Sequence, residues 1–221
     1  MDLYTVLVFI HVLLFVVWLG GDIGVFILGQ HFRRPAYPMD TRLTLLKLLV
    51  INDMAPRTAW ALMVPVSLSM VAMGGYLALP LWGLALAWGV GALWLWLVWT
   101  AHLHDQTPLA ARLRVYEFWL KIGLTVFYLG FGGVSLATGD WLGAGWLGGK
   151  AFLFGVIFAV AIMIDVTFKP LGPALGRLIE EGSSDRTESD VLVIMNRTRR
   201  WVLSIYGLLV VTAFLGNVKP F

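Results

Sequence analysis

The sequence predicts an all-α fold: a polytopic transmembrane helix bundle of about six spans, with both termini on the non-cytoplasmic side. Three observations carry this reading. The chain is 59% hydrophobic and only 13% charged, whereas a soluble domain carries roughly a quarter charged residues. Apolar runs recur at about 20 residues, the length a helix needs to cross a hydrocarbon core of roughly 30 Å. The basic residues gather in alternate loops, as expected of loops that face the cytoplasmic leaflet.

Residues 1–221 read as a single transmembrane domain with spans near 4–29, 57–79, 82–101, 116–138, 146–168 and 199–217. The opening Met1-Asp2-Leu3-Tyr4 lacks the basic start of a signal peptide, so the first run is expected to be retained as a helix. That run is long and should tilt or extend past the interface. Residues 41–54 are shorter and amphipathic, which predicts an interfacial helix leading into the second span. Leu79-Pro80-Leu81 splits the second span from the third as a hairpin turn. The most polar stretch, 170–198, is predicted to be a cytoplasmic loop centred on Glu180-Glu181-Gly182-Ser183-Ser184-Asp185.

Orientation follows from the basic residues. The first loop holds Arg33, Arg34, Arg42, Lys47 and Arg57, the third Arg112 and Arg114, and the fifth Lys169, Arg177, Arg186, Arg197, Arg199 and Arg200. The second and fourth loops hold essentially none, which places loops one, three and five in the cytoplasm. The net charge of +3 is a consequence of this topology, and no basic stripe with interleaved aromatics points to nucleic acid. With no cysteine, thiolate metal sites and disulfides are excluded. The string Trp-Leu-Gly-Gly occurs at 18–21 and again at 146–149, but at opposite depths, so it reads as coincidence rather than as an inverted repeat.

Ionisable groups at membrane depth are costly and are functional candidates by default. Helix 1 carries His11 and Asp22. Eleven residues at about 100° each return to within roughly 20°, so the two share a face with Phe15 and Trp18 between them. Gly20, Gly21 and Gly24 allow close approach of another helix or of a flat ligand. Helix 5 carries Lys150 near its outer end and Asp165 near its inner end. Two polar layers result. The outer layer holds His11 and Lys150. The inner layer holds Asp22 and Asp165 with Arg57, Glu117 and Lys121, of which Glu117 and Lys121 are spaced for an i,i+4 ion pair.

The inner layer reads as carboxylates that neutralise basic residues and fix packing, with Asp22 and Asp165 joining Lys150 as candidate catalytic groups. His11, the one histidine well inside a span, is either satisfied by a local partner or is a haem-iron ligand. His102 and His104 form a string that can chelate a metal or simply end a helix in water. Met63, Met70 and Met73 suggest a copper(I) path or plain packing. Trp88 and Trp94 lie too deep for an interfacial belt alone.

Several strings resemble one membrane family. His11-Val12-Leu13-Leu14-Phe15-Val16-Val17-Trp18-Leu19-Gly20-Gly21, followed by His31, resembles the first span of HemJ, the bacterial membrane protoporphyrinogen IX oxidase related to the CopD copper-resistance family. Pro56-Arg57 through Met63-x-Pro65 to Gly74 is similar to its second span. Gly145-Trp146-Leu147-Gly148-Gly149-Lys150 resembles its Gly-Trp-Leu-x-x-Lys entry to a later helix, and Asn196 with the ending Val218-Lys219-Pro220-Phe221 resembles its last span. The resemblance covers about half the chain. This chain departs from the family by an extra hairpin around helices 3 and 4, and by lacking the histidine partway along the lysine-bearing helix.

The resemblance implies haem b, with His11 on the iron, Phe15, Trp18 and Lys150 around the cofactor, and Lys150 on a propionate or a proton path. It implies oxidation of protoporphyrinogen IX or a related hydrophobic substrate, with electrons passed to quinone or a respiratory-chain protein in the bacterial inner membrane. Two rivals stay open: CopD-like copper transport, and a non-catalytic subunit or homo-oligomer packed in a larger membrane complex.

Overall fold

The computed structural model describes residues 2–220; Met1 and Phe221, the last residue of the family-like ending, lie outside them. Among the described residues there are seven helices and no strand: α1 (Leu3–Phe32), α2 (Met39–Met73), α3 (Leu81–Leu103), α4 (Pro108–Thr138), α5 (Gly145–Phe168), α6 (Leu171–Glu181) and α7 (Asp185–Val218). Five stretches are long and apolar enough to cross a membrane: α1, α3, α4, α7, and α5 together with α6. This is an integral membrane protein.

The remaining expected span, 57–79, is the second half of α2 and ends earlier, at Met73, where Gly74 caps the helix and Gly75 takes φ of +74°. It falls short of the other five in apolarity for a packing reason. Every residue from 59 to 66 except Leu62 is buried in protein, so this helix needs less lipid-compatible surface.

Two boundaries differ from the sequence reading. Residues 41–54 do not form a separate interfacial helix: they are the first half of α2, which runs unbroken through Pro56 and Pro65. Proline removes one backbone donor, yet packing against neighbouring helices can carry a membrane helix through it. Pro56 packs into the notch at Gly21, where a Cβ would lie 2.8 Å from its ring, and the Asn52 amide donates to the Gly21 carbonyl at 2.9 Å. The small-residue contact on α1 is therefore Gly21 with Gly24, while Gly20 faces open space.

The stretch 170–198 is not a loop either. It holds α6 and the first turns of α7, joined at Gly182-Ser183-Ser184. Ser184 and Thr187 form a capping box that starts α7. Phe32, Leu171, Ala174, Leu178, Val191 and Met195 make a satellite core there. Arg42 anchors it, its Nε donating to the Phe32 carbonyl at 2.8 Å and its Nη1 pairing with Glu188 at 2.8 Å.

The long helices pack as a ring in the order α1, α2, α3, α4, α5, α7, and α7 closes back loosely on α1. Inside the ring lies an aromatic plug. Trp18 stacks on Trp60 at 5.5 Å, and Trp60, Trp94, Phe158, Phe154 and Tyr128 continue it with centroids 4.8–5.9 Å apart. Such pairs add about 0.5–1.5 kcal/mol each beyond their buried area. The plug divides the bundle into an outer and an inner half.

Candidate functional site: two polar layers around an aromatic plug

Below the plug, at the inner end, five helices enclose an open cavity of about 930 Å³. Trp18 and Trp60 reach it from above, and Asp22, Arg57, Glu117, Lys121 and Asp165 line it. The expected pair Asp22 and Asp165 thus meets one cavity, from α1 and α5.

A chain of alternating charge runs across its wall. Asp53 Oδ2 takes the Arg57 Nε at 2.5 Å, and Arg57 Nη1 reaches Glu117 Oε1 at 3.6 Å. The Lys121 ammonium lies 3.0 Å from Glu117 Oε1 and 2.8 Å from Asp165 Oδ2. The Trp94 indole donates to Glu117 at 3.4 Å, and Lys121 also sits 5.7 Å from the Trp60 ring. The Glu117 and Lys121 side chains are 7% and 4% exposed. Charges so deep need each other, because leaving one unpaired costs far more than the pair yields.

Asp22 stands outside this chain. Its carboxylate joins no ion pair among the described residues, and the Trp18 indole is a neighbouring donor. The Tyr206 hydroxyl fixes the backbone there, donating to the Asp22 carbonyl at 2.7 Å.

Above the plug, His11 lies two turns before Trp18 on α1 and Lys150 one turn before Phe154 on α5, the two aromatic rings being 6.3 Å apart. The His11 Nδ1 is buried and has no hydrogen-bond partner. The Lys150 ammonium rests against Gly216 of α7, where a Cβ would lie 2.5 Å from it. Of the other residues expected near a cofactor, Phe15 packs against the core beside the plug, and Trp18 belongs to the plug and the cavity. The side-chain bonds tying α1 to α7 lie at the inner half, at Asp22–Tyr206 and Arg33–Asn196. Phe26 on Tyr206 and Gly29 against Met195 belong to the same half.

The remaining sequence candidates go elsewhere. The His104 ring bonds the Thr100 carbonyl at 3.0 Å, and His102 packs edge-on to Trp99. Among the described residues, no three His, Asp or Glu side chains gather as a metal-holding group. Met63 is buried in the core, Met70 is half-buried and Met73 is 46% exposed. Trp94 is in the plug, and Trp88 donates to Ser69 at 3.2 Å.

Three site residues escaped the sequence reading. Asp53 lies four before Arg57, a spacing that signals a pair, but it sat in the segment expected at the interface. Trp60 and Tyr206 had no signal beyond being aromatic in an apolar run. The chain matches no family model, no curated protein and no solved structure.

Proposed function

We propose that this protein is a haem b-binding redox protein of the bacterial inner membrane, with His11 as an iron ligand. The observation that carries the reading is the buried, unpartnered His11 Nδ1, in the same half of the bundle as Lys150. A buried polar atom left unmatched costs about 1–3 kcal/mol, so an imidazole held this way is suited to a partner the chain itself does not supply. Two features suit a flat, amphipathic cofactor. Among the described residues, the side-chain bonds that join α1 to α7 lie in their inner half, and Phe15 is one of the apolar residues on the outer half of α1.

His11 would hold the iron and Lys150 would pair with an acidic edge of the macrocycle. When bound, haem b supplies one-electron chemistry at a potential tuned by its ligands and burial. Trp18, Trp60 and Phe154 pack between this layer and the inner cavity. By resemblance to HemJ, the substrate is protoporphyrinogen IX or a related hydrophobic molecule, and quinone or a respiratory protein receives the electrons. The distribution of basic residues among the loops supports a position for this layer near the non-cytoplasmic face.

The test is the visible spectrum of the purified protein, oxidised and dithionite-reduced. Wild type should show a Soret band that shifts on reduction, and His11→Ala should lose it while remaining monodisperse and helical. A Soret band unchanged in His11→Ala sinks the assignment.

A further inference from the structure

The inner cavity is a second site, independent of whether His11 holds haem. Its wall chain sets three carboxylates, Asp53, Glu117 and Asp165, against two cations, Arg57 and Lys121, so it is already one negative charge in excess. Asp22 adds another carboxylate, on the neighbouring α1; it joins none of the ion pairs among the described residues, although the Arg57 charge is within its electrostatic reach. Basic residues also line the mouth. Arg114, Lys169 and Arg199 are exposed, where solvent and salt screen them, and Arg114 is already paired with Asp105 at 2.5 Å.

The rest of the lining is apolar and aromatic, with Trp18, Phe26, Trp60, Phe118 and Tyr206. A hard inorganic cation wants six or more oxygen ligands, which one free carboxylate among aromatic rings does not offer. An organic cation wants this combination: one opposite charge, ring faces for cation–π contact, and apolar walls for its body. The volume of about 930 Å³ is that of a site for a drug-sized molecule.

We propose that the inner cavity binds a lipophilic organic monocation, its charge held by Asp22 against the rings of Trp18, Trp60 and Tyr206. Tetraphenylphosphonium is the probe, since it is a permanent cation of this kind and has an anionic twin of the same shape, tetraphenylborate. Equilibrium dialysis against the full chain in lipid nanodiscs, with empty nanodiscs subtracted, measures both. The expected result is saturable binding of the phosphonium and none of the borate. Asp22→Asn should weaken phosphonium binding by about tenfold or more, one opposite charge at this depth being worth at least about 1.4 kcal/mol. Val25→Trp, which fills the cavity and keeps Asp22, should weaken it too, so the proposal stays testable if Asp22→Asn does not fold. Absence of saturable phosphonium binding, equal affinity in Asp22→Asn, or preference for the borate each overturns it. A haem spectrum unchanged in Asp22→Asn separates this outcome from the fate of the His11 assignment.

Discussion

Lys121 holds the inner layer together, because its ammonium is shared by Glu117 on its own helix and Asp165 on α5. Removing it leaves Glu117 buried with only the longer Arg57 and Trp94 contacts, and Asp165 with no ion pair among the described residues. Lys121→Met should therefore cost about 3–5 kcal/mol of stability, by thermal unfolding in detergent. The double variant Lys121→Met with Glu117→Gln should recover part of that loss, because it no longer buries an unpaired carboxylate. Full additivity of the two substitutions would contradict the coupling. The Glu117–Lys121 pair was legible from its i,i+4 spacing alone. The rest of the chain was not, since the Arg57–Glu117 and Lys121–Asp165 contacts join helices far apart in sequence, and no local pattern encodes them.

At the scale of elements, α4 and α5 touch backbone to backbone. A Cβ on Gly132 would lie 2.3 Å from the Phe152 nitrogen, and one on Gly155 would lie 2.7 Å from the Leu129 nitrogen. Neither neighbour is a flexible side chain that can turn away. Gly132→Ala should lower stability by about 1–3 kcal/mol, whereas Gly130→Ala, two residues away on a face that meets open space, should be neutral or slightly stabilising. Thermal melts of the two variants check this, and equal melting points would contradict the close packing. Helix positions in the apolar runs were readable because length and hydropathy decide them. The ends of α2 and the structure of 170–198 were not. Amphipathic segments look alike whether they lie on lipid or pack on other helices, and the partners of α6 and early α7, such as Phe32 and Arg42, come from the other end of the chain.

For the whole molecule, the basic loops predict that both termini face outward and that the cavity opens to the cytoplasm. The absence of cysteine makes this directly measurable, since each introduced thiol is the only one. A cysteine at Ser183, in the turn before α7, should react with a membrane-impermeant maleimide only after cells are permeabilised. One at Asp140, between α4 and α5, should react in intact spheroplasts. The reverse pattern would invert the bundle and place the cavity on the outer side.

One buried, unpartnered histidine nitrogen in the outer polar layer and one carboxylate outside the ion-pair chain in the inner layer carry the two proposals. The most direct measurement of the first is haem content per chain, by pyridine haemochrome absorbance against protein concentration. The account predicts haem b at close to one per chain in protein purified from a haem-replete host, falling to near zero in His11→Ala. Wild-type chain that folds, survives purification and carries no haem b under those conditions would contradict it.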